Sequence, residues 1–166
     1  MSGNSIHRFT NSAILSVCAV DAPEVISSDY FDEQLAPTLE RLGLRTGMLS
    51  QLAGIEERRW WPEGYAYEEA AAEAGRLAIE ASGVAPEKFG LLIDTSVSRS
   101  RLEPSAAVSV HHALGLPSSC LNFDLSNACL GFVNGMQVAA MMIDLTSLEN
   151  AAPRALAFSC RPLCFH

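Results

Sequence analysis

Apolar segments of strand length alternate along the chain with longer segments whose apolar positions recur at helical spacing. The predicted strands are Ala13 to Val20, Gly54 to Trp60, Phe89 to Thr95, Cys120 to Leu125 and Arg154 to Ser159. The predicted helices run from Ser28 to Leu42, from Tyr67 to Ala81, from Pro104 to about Leu114 and from Cys129 to about Leu145. Pro37 lies inside the first of these helices and predicts a kink or a break. The alternation predicts an α/β fold, a mostly parallel sheet with helices on both faces.

The segment from Gly131 to Leu145 is the most apolar of the chain, although Asn134, Gly135 and Gln137 interrupt it. It is shorter than the roughly 20 residues that a helix needs to cross a bilayer. We therefore expect a buried core helix and no membrane span. A helix this apolar needs cover on nearly all sides, so a fold that leaves one side bare would expose an apolar patch and favour aggregation or dimerisation.

Composition excludes two broad classes of protein. Apolar residues make up 49% of the 166 residues and charged residues 18%, which indicates a globular chain that can bury a core. The net charge is −8 and Lys88 is the single lysine. Nucleic-acid binding needs clustered basic side chains that contact phosphates, so we expect no nucleic-acid partner.

The five cysteines are odd in number and irregularly spaced. Without a secretory signal at the N-terminus they indicate reduced thiols, and we expect a cytoplasmic protein. Cys160 and Cys164, with His166 nearby, have the residue types of a metal site. Their spacing lacks a second pair, however, so no metal is predicted.

Cys129 carries the chemistry that the pattern suggests most directly. The segment from Phe123 to Phe132 reads as a strand that turns sharply into the apolar helix, which puts Cys129 at or beside a helix N-terminus. Unpaired backbone N–H groups and the positive end of the helix dipole favour a thiolate there. A thiolate attacks acyl thioesters, so the placement suggests covalent acyl transfer. The simpler interpretation is a small buried apolar side chain.

Several segments together resemble one known family. The segment from Ser126 to Phe132 resembles the nucleophile segment of the thiolase superfamily, specifically of β-ketoacyl-acyl-carrier-protein synthase III. Ala53 to Arg59, Leu91 to Ser96 and Pro104 to Ala107 match further family segments in the right order. The resemblance covers about residues 13 to 157 and implies a thiolase-like N-terminal half, which acts on acyl-CoA or acyl-carrier-protein thioesters with no further cofactor.

Within the superfamily, the segment from Ser96 to Ser105 is most similar to the bacterial olefin-biosynthesis branch, which joins two fatty acyl-CoA molecules. The resemblance implies that Glu103 reaches the neighbouring subunit's active site as a base, and hence a homodimer. Its simpler interpretation is a first-turn helix carboxylate. Cys129 would accept an acyl group, and a second thioester would then attack it in a decarboxylative or non-decarboxylative Claisen condensation. In the family the neighbourhood of Arg58 and Trp60 helps to bind the CoA nucleotide.

The resemblance also implies that the family's catalytic histidine and asparagine lie in a second half. We therefore expect a half domain over residues 1–157 that is inactive alone, followed by an aberrant tail over residues 158–166. Pro162 suits a central strand poorly, which suggests a frameshift or a premature stop. Two alternatives stay open, in which the chain is one subunit of a split heteromeric acyltransferase with a complementary C-terminal half, or a non-enzymatic interaction module.

Overall fold

The computed structural model describes residues 8–146 and 154–158, and within them the chain divides into two compact units. The first unit comprises the described residues within Met1–Val20 and Ala66–Arg161, and the second comprises those within Asp21–Tyr65. The predicted tail from residue 158 lies, beyond that residue, outside the described residues. Its altered reading frame therefore stays a prediction.

The second unit is an antiparallel strand pair with a helix. Strand β1 (Glu24–Ser27) pairs with β2 (Glu57–Trp60), and helix α1 (Ser28–Arg41) follows β1 directly. The Ser27 hydroxyl accepts a hydrogen bond from the Tyr30 amide at 3.2 Å, which satisfies one of the free N–H groups at the helix start. Helix α1 runs through Pro37 without the predicted break. A single turn, α2 (Met48–Gln51), follows before β2.

The first unit is built on a parallel sheet in the order β4–β3–β5. The central strand β3 (Phe89–Asp94) pairs with β4 (Leu121–Asp124) on one side and β5 (Arg154–Phe158) on the other. Helix α3 (Tyr67–Ser82) precedes β3, and α4 (Ala106–Ala113) connects β3 to β4. A 3₁₀ turn (Ala128–Leu130) leads into helix α5 (Gly131–Thr146). The predicted α/β class and parallel sheet are confirmed.

Side chains alternate between the two faces of β3, and helices cover both faces. Leu92 packs among buried residues of α3 and α4. Leu91 and Ile93 point the other way and pack against Ala139 of α5. This is the arrangement expected of a strand that is apolar at nearly every position.

The predicted strand from Ala13 to Val20 is wrong. The segment has no regular secondary structure, and Ile14 and Val17 are 71% and 79% exposed. The Ser16 hydroxyl donates to the Ala78 carbonyl of α3 at 2.8 Å, so the segment is held to a helix. An apolar run becomes a strand only where a neighbouring strand can satisfy its backbone groups, and this one pairs with none of the described strands.

Candidate active site

Cys129 lies in the turn that joins the parallel sheet to α5, as its sequence context predicts. Strand β4 ends at Asp124, and the Leu125 amide then donates to the Asp94 carbonyl at 2.7 Å. The 3₁₀ turn begins at Ala128, whose φ of 41° is left-handed and unusual for a residue with a side chain. Such conformations persist where surrounding structure enforces them, and they cluster at functional sites. The Cys129 side chain is exposed and can therefore meet a thioester.

Two glycines let α5 approach the end of β3 closely. A Cβ atom built on Gly131 would lie 2.6 Å from the Thr95 carbonyl oxygen, and one on Gly135 would lie 2.5 Å from the Thr95 side-chain methyl carbon. Neither position has room for a larger residue in this arrangement. The start of α5, and with it the Cys129 turn, is therefore fixed by contact with the carboxyl end of β3.

Glu103 lies in the loop between β3 and α4 and is exposed. The peptide bond from Glu103 to Pro104 is cis, and α4 begins at Ala106. Glu103 and Cys129 thus follow two neighbouring parallel strands, β3 and β4. The carboxyl ends of parallel strands lie at the same edge of a sheet, where α/β folds commonly bind ligands. The topology therefore brings both predicted catalytic residues to one edge of the first unit.

A network of polar side chains, which we call the Asp124 network, connects the loops at this edge. Its members are Ser96, Arg99, Asp124 and Ser126. The Arg99 guanidinium donates to the Ser126 hydroxyl at 2.5 Å and lies 3.6 Å from the Asp124 carboxylate. The Ser126 hydroxyl donates to the Ser96 carbonyl at 2.8 Å. The network ties the loop after β3 to the turn after β4.

Asp94 supports the same loop from inside the fold. It is almost completely buried, and its Oδ1 atom accepts hydrogen bonds from the Tyr67 hydroxyl at 2.7 Å and from the Ser96 amide at 2.9 Å. Burial raises the pKa of this carboxyl above its usual value, although both hydrogen bonds act in the opposite direction. Sequence reasoning missed Asp94 and the Asp124 network. The available signal was an aspartate at the end of each of two successive apolar strands.

Arg58 and Trp60 lie in the second unit, on the face of β2 that meets α1. The Arg58 guanidinium carbon lies 4.8 Å from the Phe31 ring centroid, and Arg58 also donates to the Ser28 hydroxyl at 3.3 Å. The Trp60 ring packs edge-on against Tyr30 and Phe31. The Trp60 indole N–H is buried and has no hydrogen-bond partner. Both side chains are thus packed within their own unit, and their nucleotide-binding role stays a prediction.

Within the described residues, no cluster of three or more histidine, cysteine, aspartate or glutamate side chains is arranged to hold a metal ion. The three residues weighed as metal ligands, Cys160, Cys164 and His166, lie outside the described residues.

Helix α5 and the turn before it are only partly covered. The window Ala128–Leu145 has a mean hydropathy of 1.4, so by length and composition alone it could cross a membrane. The core helix of a soluble protein meets the same criterion. One side of α5 packs on β3, whereas Val133, Met141 and Leu145 are exposed. The predicted apolar patch is thus present on this helix in the described residues.

Known proteins resemble the chain in both sequence and structure, although no family model matches it. The chain is 43% identical over 143 residues to an acyl-CoA:acyl-CoA alkyltransferase of Xanthomonas campestris, a match that covers 86% of this chain and 42% of that protein. It is 35% identical over 140 residues to a β-ketoacyl-acyl-carrier-protein synthase III of Aliarcobacter butzleri, which covers 84% of this chain and 40% of the relative. The chain therefore spans about two fifths of the length of these relatives.

Solved structures agree with the sequence matches. A crystal structure of a glutamate-to-aspartate variant of Xanthomonas campestris OleA matches with a TM-score of 0.76 at 42% identity, over 84% of this chain and 40% of that one. A cysteine-to-serine variant of OleA with bound lauric acid and lauroyl-CoA matches with a TM-score of 0.79 at 40% identity, over 92% of this chain and 44% of that one. The substituted glutamate and cysteine lie 26 positions apart in OleA.

Proposed function

The chain belongs to the thiolase-like condensing enzymes that include the β-ketoacyl-acyl-carrier-protein synthases III and the acyl-CoA:acyl-CoA alkyltransferases, and from that premise we propose that it carries the acyl-accepting site of such an enzyme. Cys129 is the nucleophile, and the substrate is a fatty acyl thioester. The observation that carries the proposal is the exposed Cys129 in a constrained turn at the start of α5.

The first step is thiol exchange on a thioester. The Cys129 sulfur attacks the carbonyl carbon of the acyl thioester, a carbon–sulfur bond forms, and the bond to the carrier thiol breaks. The proton that Cys129 gives up ends on the departing thiol, so the exchange is balanced and needs no redox partner. The start of α5 offers unpaired backbone N–H groups and a partial positive charge to the reacting sulfur.

The spacing of two residues supports the assignment. Glu103 and Cys129 lie 26 positions apart in this chain, as do the glutamate and the cysteine substituted in the OleA structures. The two residues also follow neighbouring parallel strands at one edge of the sheet. In the proposed second step, Glu103 removes a proton from the α-carbon of a second acyl thioester. The resulting carbanion attacks the acyl group on Cys129, a carbon–carbon bond forms, and the cysteine thiolate leaves and recovers the proton.

Condensation is proposed for the complete enzyme rather than for this chain alone. In other solved OleA structures a histidine is substituted that lies 142 positions after the cysteine, whereas this chain has 37 residues after Cys129. A single missing oxyanion donor typically costs about 3–4 kcal/mol of transition-state stabilisation. We therefore propose acylation of Cys129 as the activity of this chain, and condensation only with a complementary half. Binding of a CoA nucleotide near Arg58 and Trp60 is a further part of the proposal.

The experiment is incubation of the folded chain with lauroyl-CoA, followed by intact-mass spectrometry. Wild type is expected to gain the mass of one lauroyl group and to release one equivalent of CoA. Cys129→Ala should gain none. Cys120→Ala is the matched control, because Cys120 is buried beside α4 and should not compete for the acyl group.

The outcomes separate the three hypotheses. An adduct on wild type and on Cys120→Ala, but not on Cys129→Ala, supports the acyl-accepting site and directs attention to a complementary half. An adduct that survives in Cys129→Ala would assign the chemistry to another group. If the folded wild type gains no adduct, the proposed activity is wrong for this chain and the interaction module becomes the better hypothesis.

A further inference from the structure

Helix α4 is capped from a neighbouring strand instead of by its own first residues. Ser105 occupies the N-cap position of α4, but its side chain makes no capping hydrogen bond. Asp124, the last residue of β4, accepts hydrogen bonds from the Ala106 amide at 3.0 Å and the Ala107 amide at 2.9 Å. Its two carboxylate oxygens thus satisfy two of the free N–H groups that every helix start presents. A negative charge at this end of the helix dipole is also favourable.

The same carboxylate is held in place by a cation. The Asp124 side chain is only 9% exposed, and its Oδ2 atom lies 3.6 Å from the Arg99 guanidinium. Arg99 in turn donates to Ser126, which precedes Cys129 by three residues. Three segments therefore converge on one buried carboxylate: the loop after β3, the first turn of α4 and the turn that carries Cys129.

We propose that Asp124 is a positioning residue that fixes the loop of Glu103 relative to Cys129. The inference deepens the proposed function, since it takes the roles of Glu103 and Cys129 from there. Glu103 lies three residues before Ala106 and Cys129 lies five residues after Asp124, so both depend on the same anchor. Three unanchored residues can extend over about 10 Å, whereas a productive catalytic arrangement tolerates displacements of about 0.5 Å.

The test measures position directly and needs no turnover. Spin labels are placed on Cys129 and on Glu103→Cys, and the distribution of distances between them is measured by pulsed electron–electron resonance. Labelled protein is diluted with unlabelled protein so that only pairs within one chain contribute. The other cysteines are replaced beforehand: Cys18→Ser, Cys120→Ala, Cys160→Ser and Cys164→Ser.

Asp124→Asn is the principal variant, because it keeps the shape of the side chain but replaces one accepting oxygen with an NH₂ group that cannot accept from an amide. The distance distribution should broaden about twofold or more, as the anchored loop gains reach. Val84→Ala is the control, since Val84 is buried in the core beside α3 and α4 and its truncation destabilises the same unit away from the network. Its distribution should match that of the parent.

A second variant protects the test against a failure of Asp124→Asn to fold. Arg99→Met removes the cation that holds Asp124 and should broaden the distribution to an intermediate extent. The proposal is overturned if either folded variant keeps the parent distribution, or if Val84→Ala broadens it equally. The result is independent of the acylation experiment, so a failure of the proposed function and a failure of this inference can be told apart.

Discussion

The two faces of the parallel sheet differ sharply in how completely they are covered. On the face that meets α3 and α4, nine buried residues form a continuous core around Leu92. On the face that meets α5, the buried cluster in the described residues consists of Leu91, Ile93 and Ala139. The outer side of α5 is largely exposed. One face is thus a finished core, whereas the helix that begins beside Cys129 has cover on one side.

This difference shows that the two faces achieve stability by different means. The α3 and α4 face relies on the amount of apolar surface removed from water. The α5 face relies on a close backbone approach, in which Gly131 and Gly135 sit against Thr95. Substitutions that change volume should therefore act in opposite ways on the two faces.

The largest effect is expected from Leu92→Ala on the finished face. Leu92 is fully buried, and truncation of a buried leucine to alanine typically costs about 2–5 kcal/mol of unfolding free energy. The matched variant Leu145→Ala removes the same atoms from an exposed position of α5 and should change stability by less than about 0.5 kcal/mol. Urea unfolding monitored by circular dichroism measures both. Equal losses would show that α5 is covered as completely as β3.

The next effect sharpens the comparison by adding volume. A Cβ on Gly131 would meet the Thr95 carbonyl oxygen, which belongs to the backbone and cannot turn aside. We expect Gly131→Ala to destabilise the chain by about 1–3 kcal/mol. Gly75→Ala on α3 is the control, since its Cβ would meet only the flexible end of Leu114 at 3.0 Å. Alanine also favours a helix over glycine by about 1 kcal/mol, so the control should be neutral or stabilising in the same unfolding measurement.

Much of the first unit could be predicted from the sequence because its elements are long and locally consistent. The alanine-rich pattern from Tyr67 to Ala81 matches α3 within one residue of its end, and the apolar run from Phe89 matches β3. Short or partner-dependent elements were not predictable in the same way. Strand β1 has four residues and was missed, and the apolar run from Ala13 formed no strand, since each outcome depends on which neighbouring strand is available.

The candidate site divides along the same line. The turn at Cys129 could be predicted because it is a local motif of a strand, a sharp turn and a helix. The capping role of Asp124 could not be predicted, because Asp124 and Ala106 are distant in sequence and meet only through the parallel pairing of β3 and β4. Arg58 and Trp60 were expected at a nucleotide site, and their packing against α1 follows from a strand, β1, that the pattern did not reveal.

A smaller effect concerns the buried carboxyl on the α3 side. The folded-state pKa of Asp94 is raised from its usual value of 3.8 by burial, so the native state holds this proton more tightly than the unfolded state. Stability therefore falls as pH rises from about 3.8 through the folded pKa, because the native state then binds more protons than the unfolded state. The stability of Asp94→Asn relative to wild type should accordingly increase with pH over that window. Urea unfolding at a series of pH values measures this, with the exposed Asp21→Asn as the control for loss of one negative charge.

A difference between wild type and Asp94→Asn that stays constant across the window would contradict this prediction. Other carboxyl groups titrate in both proteins and cancel in the comparison. The pH dependence that remains therefore reports Asp94 alone.

The smallest effect on stability, and the most direct test of the uncovered face, comes from Val133→Gln combined with Met141→Gln. Both positions are exposed on α5, so each substitution should change the unfolding free energy by less than about 0.5 kcal/mol. The apolar patch becomes polar, however, and association driven by that patch should weaken. Sedimentation velocity should show smaller species for the double variant than for wild type. Ala139→Gln serves as the control, because Ala139 is buried against β3 and the same change there should destabilise the fold. A wild-type chain that sediments as a single monomer would show that the exposed side of α5 does not drive association, and the difference between the two faces would then be one of packing alone.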